Sequence, residues 1–104
     1  GTDLDVDGTT NLDIVDIDST TQIDATVSVS TNGNGQDVKF FGATSGSYWH
    51  WDASADKNIL LGATQLTGAL TVGVDDTGHD VKFFGASAGA FMLYDQASDT
   101  LEIR

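Results

Sequence analysis

Aspartates at alternate positions are the first residues in this chain with the spacing to do chemistry. Asp3, Asp5, Asp7 and Gly8 reproduce the opening of an EF-hand calcium loop, where alternating carboxylates converge after a glycine turn. The twelfth position of such a loop needs a bidentate Glu, and here it is Ile14. No helical pattern flanks it. Asp3, Asp5 and Asp7 are therefore weak metal candidates, expected to form a solvated strand face with no ion bound. Asp52/Asp56 and Asp95/Asp99 are carboxylate pairs of the kind glycoside hydrolysis uses. Each pair falls in an expected turn, and the first recurs as the second 43 residues on. A catalytic pair needs one pocket that lifts one pKa, whereas turn aspartates bind nearby backbone amides. Turn chemistry is the expectation. His50 and His79 do not match one another and have no Cys beside them, so they make no metal signature. On a threefold axis, however, a single His becomes a ring of three. With no nucleophile–base pairing and no phosphate-cradling glycine loop, the expectation is a chain that is not an enzyme and holds no cofactor.

Tyr48-Trp49-His50-Trp51 is the densest aromatic run. Such a run suits either a receptor or glycan platform, or the core of an oligomer. Its counterpart, Phe91-Met92-Leu93-Tyr94, keeps the bulk and loses the aromatic run, which favours packing. The receptor-contact candidates are Tyr48, Trp49, His50 and Trp51. The core candidates are Val38, Phe40, Phe41, Val81, Phe83, Phe84, Phe91 and Leu93.

These residues belong to a repeat. Residues 35–56 and 78–99 agree at 11 of 22 positions without a gap, and a period of this size signals a repeated supersecondary unit. Alternation of period two runs through the chain, and helical periodicity is hard to find. The expected layout is residues 1–25 as a segment of short strands, 26–68 as a first unit and 69–104 as a truncated second. Within each unit a Gly/Asn/Asp turn precedes a strand (37–43, 80–86). A Gly turn, a second strand (47–51, 90–94), an Asp-bounded loop and a third strand (58–61, 101–103) follow. Val38-Lys39-Phe40-Phe41 and Tyr48-Trp49-His50-Trp51 carry large side chains on both faces, so both faces need cover.

Composition points the same way. The chain has 104 residues, 39% of them hydrophobic, with twelve Gly and neither Pro nor Cys. A chain this small buries about 60–65% of its unfolded surface, and with no disulfide the extra burial is expected from other chains. The net charge of −12 argues against nucleic acid and against an anionic membrane surface. It suits solubility and resistance to edge-to-edge strand pairing. No stretch is apolar enough for membrane insertion. Opening on Gly1 and stopping part-way through a second unit, the chain reads as a piece of something longer.

The pattern Asp-Val-Lys-Phe-Phe-Gly-Ala, then Ser-Gly-x-Tyr and Trp-Asp-x-Ser-x-Asp, resembles the tandem repeats of tail-fibre and other structural proteins of tailed bacteriophages, marine and cyanobacterial ones above all. Leu4-Asp5-Val6-Asp7-Gly8-Thr9-Thr10-Asn11-Leu12 is similar to the strand repeats that flank those units. Tyr94 in place of Trp51 and Gln96 in place of Ala53 depart from the first copy without changing the spacing. The resemblance implies an all-β, fibrous, intertwined homotrimeric shaft or prism. It also implies a non-enzymatic virion component whose partners are its own copies, other virion proteins and, at an attachment region, a host-surface glycan or receptor. A carbohydrate-binding or adhesin module is the alternative, and a depolymerase-type tailspike would need far more chain.

Overall fold

β-Branched and aromatic residues bounded by Gly and Asp are the material of short strands, and six of them form. The computed structural model describes residues 3–104 and divides into two units, one ending at Leu61 and one spanning Gly62–Arg104. In the first unit β1 (Val38–Phe41), β2 (Tyr48–Asp52) and β3 (Lys57–Leu61) make an antiparallel sheet in that order. In the second, β4 (Val81–Phe84), β5 (Phe91–Asp95) and β6 (Thr100–Ile103) make its counterpart. The fold is all-β, and every expected strand of the two units is present within a few residues of its expected ends.

Register repeats with the sequence. Val38 lies opposite Trp51 and Phe40 opposite Trp49, while Val81 lies opposite Tyr94 and Phe83 opposite Met92. Opposed side chains share a face and interact directly. The Phe40 and Trp49 rings meet at 5.2 Å, tilted by 32°, and Phe41 meets Tyr48 edge-on at 6.1 Å. Such pairs each add about 0.5–1.5 kcal/mol beyond the area they cover, which helps hold the four- and five-residue strands of the first sheet in register.

The first hairpin of each unit turns on two glycines. Gly46 and Gly89 take left-handed φ values of 87° and 81° at the third position of a turn closed by Ser47 N–H to Thr44 O and by Ala90 N–H to Ser87 O. Glycine tolerates that backbone without strain. Gly42 and Gly85 serve a different need: a Cβ at either would stand 3.0 Å from Ser47 O or from the Ala90 Cβ.

Over residues 3–30 the alternation expected to give short strands gives none. The apolar/acidic pattern is present, but a strand exists only when another strand accepts its hydrogen bonds. Among the described residues no backbone hydrogen bond ties residues 3–30 to the rest of the chain. Two isolated bridges, Thr31 with Asn34 and Val74 with Thr77, open the two units.

Among the described residues none is buried, apolar or polar. Each sheet has two faces and no covering layer in its own unit. The apolar side chains that would form a core lie open on both sides.

Candidate functional site

The register sorts the side chains of each sheet onto two faces that differ in kind. One face of the first sheet carries Val38, Phe40, Trp49, Trp51, Asn58 and Leu60. The corresponding face of the second carries Val81, Phe83, Met92, Tyr94, Leu101 and Ile103. Neither has a charged side chain. The opposite face of the first sheet holds Lys39, Phe41, Tyr48, His50, Asp52, Lys57, Ile59 and Leu61. That of the second holds Lys82, Phe84, Phe91, Leu93, Asp95, Thr100 and Glu102. Arg104 pairs with Phe91 through two backbone hydrogen bonds and joins the same face. All four basic residues of the chain thus lie on the second kind of face.

The receptor-contact candidates are divided by this alternation. Trp49 and Trp51 stand on the uncharged face, while Tyr48 and His50 stand on the charged one. The core candidates divide too: Val38, Phe40, Val81 and Phe83 lie on the uncharged face, and Phe41, Phe84, Phe91 and Leu93 on the charged one. All eight are half-buried or exposed.

On the uncharged face of the first sheet, Val38, Phe40, Trp49, Trp51 and Asn58 line a shallow hollow of about 210 Å³. The carbonyl oxygen of its one amide is already engaged, because Trp49 Nε1–H donates to Asn58 Oδ1 at 2.6 Å. The second sheet has Met92 and Leu101 at those two positions, so donor and acceptor are replaced together by apolar groups.

The charged face is arranged for water. Lys82 Nζ lies 4.3 Å from the centre of the Phe91 ring and 5.0 Å from that of Phe84, with the Arg104 guanidinium 5.2 Å from Phe91. Lys39 Nζ stands 6.0 Å from the Tyr48 ring. Cations over ring faces gain electrostatic contact while keeping their heads solvated.

The carboxylate pairs have turn roles. Asp52 Oδ1 accepts from Ser54 Oγ at 2.7 Å and from the amides of Ser54 and Ala55 at 3.1 and 3.3 Å. The Ser54 hydroxyl above all, with those amides, holds the Asp52 carboxyl below its ordinary value. Asp95 Oδ1 accepts from Ala97 N–H at 3.0 Å in the same way. Asp56 and Asp99 close the two loops in left-handed conformation, at φ 50° and 53°, a region that Asp tolerates better than most residues.

A further carboxylate emerges from the geometry. Asp37 precedes β1 and reaches across to the β2–β3 loop, accepting Ala53 N–H at Oδ1 and the His50 imidazole at Oδ2, both at 2.9 Å. The His50 hydrogen bond first, then that of Ala53, holds the Asp37 carboxyl below its ordinary value. Asp80 repeats the backbone half of this clamp with Gln96 N–H at 2.9 Å. It has no imidazole to meet, since Leu93 occupies the place of His50. The recurrence of Asp37 as Asp80 marked the position in the sequence, although its partners lie 13 and 16 residues away.

Beside each clamp the opening turn and the loop enclose a hollow. In the first unit it is about 390 Å³, with Thr31, Asn32, Trp51 and Asp56 among its walls. In the second it is about 490 Å³, with Asp75, Asp76, His79, Tyr94 and Asp99 among them. Asp3, Asp5 and Asp7 are exposed, and among the described residues no group of three or more His, Asp or Glu is placed to hold a metal ion. No helix is long and apolar enough to cross a membrane among the described residues.

No protein-family model, curated protein or solved structure matches the chain.

Proposed function

We propose that this chain is a non-enzymatic structural segment of a bacteriophage virion fibre, shaft or host-attachment region, completed by copies of itself in a homotrimer. The observation that carries the reading is the missing core: two all-β units with apolar side chains on both faces and no buried residue among those described. A chain of this kind gains its burial between molecules. The 43-residue repeat supports a unit strung along an axis. The resemblance of residues 35–56 and 78–99 to phage fibre repeats supplies the biological setting. The partners in this reading are the chain's own copies, neighbouring virion proteins and, for an attachment region, a host-surface glycan or receptor; nucleic acid and membrane insertion have no part in it. Light scattering over a range of concentrations tests it. The expected mass is three chains, whereas a single chain that melts cooperatively in dilute buffer would overturn it. Peptides of the chain in purified particles would carry the virion assignment, and their absence from particles would remove it.

A second reading, a carbohydrate-binding or adhesin module, is favoured by the 390 Å³ hollow of the first unit. There the Trp51 ring offers a stacking surface, and Thr31, Asn32 and Asp56 offer partners for sugar hydroxyls. Glycan-array binding that is lost on Trp51→Ala, with the mass unchanged, would select this reading. Arrays blank for the native chain would discard it.

A further inference from the structure

We propose that the uncharged face of each sheet is the surface that meets a second copy of this chain, and that the charged face turns to water. The inference rests on the self-association reading and adds to it which side of each ribbon is covered.

Three observations carry it. The first is the partition of charge. In a chain of net charge −12, Val38, Phe40, Trp49, Trp51, Asn58 and Leu60, with their counterparts in the second unit, include no acid and no base. Apposing copies through this face brings no carboxylates together. Apposing them through the other would desolvate Lys39, Lys57, Lys82, Glu102 and Arg104, a cost that only matched pairing offsets.

The second is that two of the polar groups on the uncharged face already have partners. Trp49 Nε1–H is bonded to Asn58 Oδ1, and Tyr94 Oη reaches Asp99 Oδ1 at 3.4 Å. Groups bonded to one another in this way can leave water at less penalty than unpaired ones.

The third is extent. The apolar side chains of this face are roughly half exposed. Counted unit by unit and summed they come to on the order of 1,000 Å² per chain, and a stable interface takes about 800 Å² per partner in all its patches together. An occupant has to supply two uncharged apolar faces, one for each unit. A second copy of the chain supplies both.

Phe40 and Phe41 provide a matched test, being neighbours on one strand with side chains on opposite faces. Phe41 is the more exposed, 76% against 58%, so exposure alone would make it the more sensitive position. Phe40→Lys is expected to raise the dissociation constant at least ~100-fold, and Phe41→Lys to leave it within about threefold. Leu60→Lys and Leu61→Lys repeat the comparison on β3, at 49% and 45% exposure. Loss of assembly in the Phe41 and Leu61 variants alone, or equally in all four, would overturn the assignment while leaving self-association standing. A native chain that is monomeric at every concentration would fell the self-association reading itself.

A readout without substitution guards against variants that do not fold. Both tryptophans of the chain, Trp49 and Trp51, lie on the uncharged face. Their quenching by acrylamide is expected to rise at least twofold when the native assembly is diluted through its dissociation. Unchanged quenching across that dilution would place them outside the interface and overturn the proposal.

Discussion

Replacing Asn58 by Leu, the residue that the second unit carries at the same position, exposes how dry the uncharged face becomes. The substitution removes the acceptor of the Trp49 indole N–H, which it meets at 2.6 Å. If a second copy covers the face, that N–H is left without a partner, at a cost of about 1–3 kcal/mol per chain. If the face stays wet, water takes the place of Asn58 and the cost falls below about 0.5 kcal/mol. Trp49→Met alone loses an aromatic contact and orphans Asn58 Oδ1. The pair Asn58→Leu with Trp49→Met installs the combination that Met92 and Leu101 already form in the second unit. Removing donor and acceptor together is nearly neutral in a dry site, so the double variant should recover about 1–2 kcal/mol of the summed single losses. Urea unfolding of the four proteins at one fixed concentration measures the coupling. Additivity within about 0.3–0.5 kcal/mol would refute the argument, because it would mean that the indole N–H never leaves water.

Three further outcomes follow from the turns and the acids. Asp56→Val and Asp99→Val force a β-branched residue to φ near 50°; each should cost about 1–2 kcal/mol, while Asp→Asn stays near neutral, as thermal melts will record. The Asp37 carboxyl is held below its ordinary value by His50 and Ala53, so its contribution is complete above the unfolded value and fades as pH falls through the folded one. Urea midpoints followed from about pH 5 to about pH 2 should decline less steeply in Asp37→Asn than in the native chain, and parallel curves would contradict the clamp. Melting should be indifferent to EDTA and to added calcium, and a calcium-dependent rise lost on Asp5→Asn would restore a metal role for Asp3, Asp5 and Asp7.

The two sheets could be read from the chain because their signals are local. Val38, Phe40 and Phe41 are strand formers, Gly46 turns, Asp52 and Asp56 bound a loop, and each signal is repeated 43 residues later. Residues 3–30 also alternate, with a break at Gly8 and a one-residue slip at Val15, and form no strand. Alternation records which side of a strand would be apolar, and hydrogen bonding to a second strand decides whether the strand exists. Tyr48-Trp49-His50-Trp51 looks like one cluster in the sequence, but β geometry sends alternate side chains to opposite faces. The Asp37–His50–Ala53 clamp and the Trp49–Asn58 bond join residues 9 to 16 apart through a register that only the paired strands define. Their residue types are visible in the chain; their partnership is not.

The duplicated hollows beside the clamps have a consequence for how such a chain diversifies. Gly35/Gly78, Asp37/Asp80 and Asp56/Asp99 keep their identities from one unit to the next, whereas Asn32, Trp51 and Ala53 become Asp75, Tyr94 and Gln96. The hinge points are held constant and the upholstery changes: an indole gives way to a phenol, the Asn32 amide to the Asp75 carboxylate, and Gln96 brings an amide where Ala53 has none. Adding another 43 residues would add a niche of the same outline, whose chemistry could be rewritten without disturbing the bends that frame it.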